Sequence, residues 1–245
     1  MLFRSAIWGP AKTTDRELKK GIWKELPKWN EQAKSEGIRR RVFVQSMADF
    51  FEAHPQVVHW RRDALHLISQ LKNLDFQILT KRPENINRMI EAGTGRRADA
   101  WFADCSHVWI GTSVENQVTA DERIPELLKV PAVVRFLSME PLLGAVDLNQ
   151  WLLSEHGRRA IGAMPGISWV IVGGESGHNA RAFDLSWAYS IVSQCDAAGV
   201  PVFMKQFGNN PKSVQWGYKI TGKGGDWNEW PVDLRVRQFP QVAQA

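Results

Sequence analysis

Charged side chains stand directly behind several short apolar runs of this sequence. Glu115 follows in "GTSVENQ", Glu140 in "LSMEPLLG" and Glu175 in "GGESGHNAR". Lys81 and Arg82 follow in "LTKRPEN", and Lys205 in "FMKQFG". A carboxylate in such a place can hold an ammonium, a ribose hydroxyl or a metal, while lysine and arginine suit a carboxylate or a phosphate. Neutral hydrogen-bonding groups accompany them: Thr80, Ser113, Asn116, Ser138, Ser176 and Gln206, with Asp49 behind the first run. Three carboxylates and three cations around one mouth describe a polar ligand site. Pairing of Glu115 or Glu140 with Lys81 or Lys205 for structural reasons is the competing reading.

The stretch "WVIVGGESGHNAR" (169–181) frames the question most sharply. Its glycines, Gly173 and Gly174, have neither the GxxxxGK[ST] nor the GxGxxG order of phosphate-binding loops. Glu175 would repel an anion bound beside it. Two readings stand side by side: a bend or close backbone approach after a strand, or a bare strand end against which a ligand rests. Arg181 is placed to pair with an acid.

Other chemistries find little support. The six histidines show no HExxH spacing, and Cys105 and Cys195 have no CxxC partner, so a zinc site, an iron–sulfur site or a disulfide framework within this chain is not expected. No Ser–His–Asp order points to a hydrolase. No apolar stretch reaches the roughly 18 residues of a membrane span and no signal peptide is evident, so a cytoplasmic protein is expected.

The elements that must position these residues repeat one pattern. Strands are expected at 42–46, 76–80, 108–112, 133–138, 168–172 and 201–205, each rich in Val, Ile and Phe, as strands buried on both faces are. Helices are expected between them at 61–73, 84–93 (stopped by Gly93), 121–130 and 186–199 (capped by Ser186, stopped by Gly199), with Cys195 in the core. Such alternation implies a parallel sheet, either open and doubly wound or closed into a (β/α) barrel. Polar residues at the carboxyl ends of six strands favour the barrel, as one domain over 1–245 whose stretch 209–245 is a glycine- and tryptophan-rich tail.

The motifs "VFVQSMADFFE", "FQILTKRPENI", "VWIGTSVENQ", "RFLSMEPLLG", "WVIVGGESGHNAR" and "VFMKQFG", in this order, resemble a family of uncharacterised phage and bacterial proteins labelled by phage gene-product numbers. The resemblance covers roughly residues 20 to 240. That family is similar to radical-SAM enzymes. It implies a radical-SAM-like barrel, an iron–sulfur cluster held by three cysteines near the N-terminus, and S-adenosylmethionine in the barrel mouth. The three-cysteine segment is missing here, and neither Cys105 nor Cys195 replaces it. Family sequence is readable from about Ile7, and "MLFRS" is what a short sequencing adapter would encode, so the native protein is expected to be longer. The chain alone is then expected to be inactive, and the barrel to lack its first strand. By the resemblance, Glu115, Glu140 and Glu175 would serve the cofactor's amino group, its ribose or the substrate, and Lys81, Arg82 and Lys205 a carboxylate or phosphate. The alternative reading is a nucleic-acid-binding protein without catalysis, drawn from the net charge of +5 and from the tail "QWGYKITGKGGDWNEWP" (215–231), among twelve tryptophans in all.

Overall fold

A computed structural model describes residues 3–5, 16–18, 21–44, 48–152, 166–212 and 220–241. The chain falls into two compact units, Met1–Gly111 with Lys129–Val133, and Thr112–Leu128 with Val134–Ala245.

The first unit opens with a short antiparallel pair, β1 (Phe3–Ser5) and β2 (Arg16–Leu18), and helix α1 (Gly21–Ser35). It continues with β3 (Arg40–Val44), α2 (Val58–Gln70), β4 (Leu74–Thr80), α3 (Ile86–Thr94) and α4 (Ala98–Asp104). It ends in β5 (Val108–Ser113), whose last two residues belong to the second unit. The second unit adds α5 (Gln117–Leu128), β6 (Arg135–Met139), β7 (Trp169–Gly173), β8 (Phe183–Asp184), α6 (Leu185–Ala198), β9 (Val202–Gln206) and β10 (Pro211–Lys212). The fold is mixed α/β, with a six-stranded parallel sheet in the order β3-β4-β5-β6-β7-β9. None of the described helices is long and apolar enough to cross a membrane.

Burial explains why these segments are strands. Every residue of β5, β6 and β7 is buried, so both faces are covered and the sequence reads as an unbroken apolar run. The outer strands β3 and β9 alternate in exposure instead. The expected strands agree with the observed ones to within two residues at every end the structure describes; residues 45 and 46 of the first lie outside the described residues.

Helix ends depart further from expectation. Gly93 does not stop α3; it lies inside it, where an added Cβ would come within 2.9 Å of Leu65 Cδ1 on α2. The glycine lets the two helices approach, and Gly95, at φ 68°, makes the left-handed stop. Helix α6 is capped by Asp184, whose carboxylate accepts the Ser186 N–H at 2.8 Å, rather than by Ser186 itself. Gly199 stops that helix at φ 65°, and Cys195 is fully buried. Helix α5 begins at Gln117 rather than 121, because Asn116 and Thr119 exchange hydrogen bonds that satisfy its first turn.

Candidate functional site

In the first unit, Asp49 is a hub. Its carboxylate accepts hydrogen bonds from Phe51 N (3.0 Å), Thr80 Oγ1 (2.6 Å), Lys81 N (2.9 Å) and Arg82 Nη1 (2.8 Å). Thr80 Oγ1 in turn accepts from Arg82 N at 2.9 Å. The turn after β4 is thus locked by its own polar groups, and the Asp49 oxygens are occupied by this chain. Lys81 projects its side chain to the surface. Close by, Arg16 grips Glu52 with two donors at 3.0 and 2.7 Å, which holds the Glu52 carboxyl below its usual range.

In the second unit, Glu140 after β6 and Gly174 after β7 meet side chains of β9. Glu140, directly after β6, reaches past the end of β7 to strand β9. Lys205 Nζ lies 2.7 Å from its Oε2, and Gln206 Nε2 donates to its Oε1 at 3.1 Å. The Gln206 carboxamide, itself buried, also donates to Gly174 O at 3.3 Å. Gly173 makes this crossing possible: a Cβ there would sit 3.3 Å from Glu140 Cγ and Cδ. The loop after β6 is tied down on both sides, Leu142 N donating to Gly173 O at 2.9 Å and Leu143 N to Glu115 O at 2.7 Å.

Gly174 has a different role. A Cβ at this position would fall 2.1 Å from Phe207 O, so two backbones touch where the expectation placed a surface open to a ligand. The glycine pair is a site of close approach: Gly173 faces the Glu140 carboxylate and Gly174 faces neighbouring main chain.

Glu175 leaves the strand end and closes on Arg181, accepting from its N, Nε and Nη2, each at 2.8 Å. The side-chain bonds from Arg181, followed by its backbone N–H, bring the Glu175 carboxyl down to about 2. Arg181 also feels the charge of Glu115. Glu115 is nearly buried and is held by Arg123 Nη1 at 2.9 Å, which donates to Ser113 O at 2.8 Å as well. Ser113 and Ser138 are buried in their strands, Ser138 O accepting from Val114 N, whereas Ser176 is exposed beside Gly177. Asn116 serves the first turn of α5.

Two residues of this arrangement were not singled out from sequence. Arg123 lies on α5, eight positions beyond the carboxylate it holds, and only a cation two turns into the helix after a strand hints at it. Asn209 pins the Glu175 loop: its N donates to Glu175 O at 2.9 Å, its Oδ1 accepts from Gly177 N at 2.7 Å and its Nδ2 donates to Gly222 O at 2.8 Å. The "FGNN" turn carries no sequence signal for this beyond its Asn residues.

The tail is packed by its aromatic rings. Trp230 is fully buried, stacks on Phe207 at 4.7 Å and donates from Nε1 to Gly224 O at 3.0 Å. Trp216 and Tyr218 lie outside the described residues.

The chain belongs to the DUF5131 family. That family, described as a protein of unknown function, matches residues 4–231 and so spans both groups of strand-end residues. No curated protein matches the sequence.

Neither cysteine fits an iron–sulfur ligand set. Cys105 and Cys195 lie in different units and both are buried; burial raises both thiols, Cys195 to about 12. Among the described residues no group of three His, Cys, Asp or Glu side chains is placed to hold a metal ion. Glu115, Glu140 and Glu175 are matched one for one by Arg123, Lys205 and Arg181, so the set as a whole is neutral.

Proposed function

We propose that the second unit binds a small ligand carrying charges of both signs at its strand ends, and that this ligand is S-adenosylmethionine, within a phage or bacterial radical-SAM-like (β/α) barrel protein. The matched set of three carboxylates and three cations is the observation that supports the reading. A polyphosphate would add several negative charges to a neutral site beside Glu175. A bare metal ion would have to compete with three cations already present. A ligand carrying one ammonium, one sulfonium and one carboxylate can exchange partners with the existing pairs instead.

Exposure gives the exchange a direction. The cations lie outermost: Lys205 and Arg181 side chains are 53% and 59% exposed, against 19% and 30% for Glu140 and Glu175. Ion pairs open to water contribute only about 0–1 kcal/mol, so swinging Lys205 away from Glu140 costs little. In this reading Glu140 then accepts the ligand ammonium, and Lys205 or Arg181 takes the ligand carboxylate. Gln206 holds the Glu140 carboxylate in place throughout, since its bond to Gly174 O fixes the amide. S-adenosylmethionine would supply a transferable methyl or adenosyl group; the residues described here bind and orient it. The cluster chemistry of radical enzymes has no ligand set among the described residues, and no step is assigned to it.

Isothermal titration of the purified chain with S-adenosylmethionine and S-adenosylhomocysteine tests the reading. Binding is expected, weakened on the order of tenfold or more in Glu140→Gln, as loss of a charge-assisted hydrogen bond implies. Absence of binding by the folded wild-type chain would overturn it.

A further inference from the structure

The stretch 236–239 does not carry a strand-end charge, and it lies beyond the residues that the family match covers. Yet it grips the strand that supplies Lys205 and Gln206. Gln238 N donates to Val202 O and Met204 N donates to Val236 O, both at 2.8 Å, and Phe203 and Arg237 face each other in an antiparallel bridge. Gln238 adds two side contacts, its Oε1 accepting from Val202 N at 3.1 Å and its O accepting from Trp169 Nε1 at 3.0 Å. An otherwise open sheet edge is covered in this way.

Arg237 is the centre of the grip. Its guanidinium carbon lies 5.6, 5.3 and 5.2 Å from the ring centres of Phe203, Trp227 and Trp230, a three-sided aromatic box around a cation. Its Nε donates to Met204 O at 3.3 Å. On the far side of the box, the Trp230 indole donates to Gly224 O, which also accepts Phe207 N at 2.9 Å. Met204 and Phe207 are the residues on either side of Lys205 and Gln206. Both are tied to the same box.

We propose that Arg237 is a positioning residue for Lys205 and Gln206: by clamping Met204 and, through Trp230 and Gly224, Phe207, it fixes the height at which the two side chains meet Glu140. The guanidinium lies within cation–π range of three rings and still donates to the strand; a residue that merely filled the space could not. The consequence for a ligand rests on the binding reading above, whereas the clamp on β9 does not.

The test compares Arg237→Met, which keeps bulk and removes the cation, with Arg235→Met on the same stretch. Arg235 holds Trp230 O and Asn228 O and makes no described bond to β9. In Arg237→Met, hydrogen exchange at the Met204 and Phe207 amides should speed up about tenfold, the scale of a cation held by several rings. The Gln206 side-chain amide resonances should shift, and affinity for S-adenosylmethionine should fall with them. Arg235→Met loosens the Trp230 backbone but leaves the Arg237 bond to Met204 O, so it should leave the Met204 exchange rate and the Gln206 resonances in place. Unchanged Gln206 signals in Arg237→Met, or the same change in both variants, would overturn the proposal. If Arg237→Met does not fold, Arg237→Gln, which also removes the cation, replaces it, and a wild-type Gln206 signature in that variant is equally fatal. A wild-type chain that ignores S-adenosylmethionine defeats the ligand reading alone, because the exchange and resonance measurements need no ligand.

Discussion

Glu140 and Lys205 meet at 2.7 Å although their strands are not neighbours in the sheet: β7 runs between them. The pair exists because β7 ends in Gly173, whose missing side chain leaves room for Glu140 to cross. Gly173 and Gly174 therefore differ in what a methyl group would do. Gly173→Ala meets the flexible end of Glu140 at 3.3 Å, which can give by a few tenths of an ångström. A loss of about 1 kcal/mol is expected, with Glu140 displaced from Lys205. Gly174→Ala meets the Phe207 carbonyl at 2.1 Å, which is main chain held from both sides. The loss there should be about 3 kcal/mol or more. Urea denaturation of the two variants checks the order; equal losses would contradict this account of the glycine pair.

Asp49 anchors the turn after β4 through four hydrogen bonds, two of them from main-chain N–H groups. Asp49→Ala should cost about 2–4 kcal/mol, because Thr80, which is buried, and the Lys81 N–H lose their acceptor together. Affinity for a ligand of the second unit should stay unchanged in any preparation that remains folded. The paired readout, a denaturation curve and a binding isotherm, separates this structural role from ligand contact; weaker binding at full stability would reverse the assignment.

The strands were legible because β4 to β7 are buried on nearly every side, which forces continuous runs of Val, Ile, Phe and Leu. Helix α1 was not, since Pro27 interrupts its pattern and, among its described residues, Leu26, Asn30 and Ala33 form the buried stripe. Helix α4 is short, and its Trp101 and Phe102 are adjacent rather than spaced by a turn. The charged residues at strand ends could be named from sequence, but their partners could not. Glu140 finds Lys205 only through strand order and Gly173, and Glu115 finds Arg123 only because α5 folds back on its own strand. Arg181 could be anticipated, being six residues from Glu175 in the same loop. Asn116 reads as a ligand residue in sequence, and in the structure its Oδ1 accepts from Thr119 N at the start of α5, a role that calls for the same side chain.

Glu175 should make part of the stability depend on acid pH. Its carboxyl is lowered from 4.5 to about 2 by Arg181, so the folded form holds its proton more weakly than the unfolded chain. The contribution is therefore complete above about pH 5 and is lost as pH falls from about 4.5 through 2. The pair is well exposed, which limits the effect to about 1 kcal/mol or less. Denaturation curves of wild type and Glu175→Gln should differ at pH 6 and converge near pH 2. A gap that persists unchanged at pH 2 would mean that the carboxylate charge is not what stabilises the loop.

His107 adds a second pH dependence, in the first unit. The ring is almost fully buried, edge-on to Phe76, with Nε2 2.9 Å from the Ile68 carbonyl at the end of α2. Burial lowers its pKa; the bond to Ile68 O opposes this, and the cations Lys72 and Arg39 add to it while Asp75 works against them. The folded chain thus resists a proton that the unfolded chain accepts near pH 6.5. Stability is complete above that pH and declines as the pH falls toward the lower folded value, the unfolded state then binding more protons. His107→Gln keeps a donor for Ile68 O and cannot titrate, so its stability should be flat between pH 7 and 5 where wild type slopes downward. An NMR titration of the ring gives the direct check: a folded His107 that takes up its proton at or above 6.5 would remove the basis for the slope.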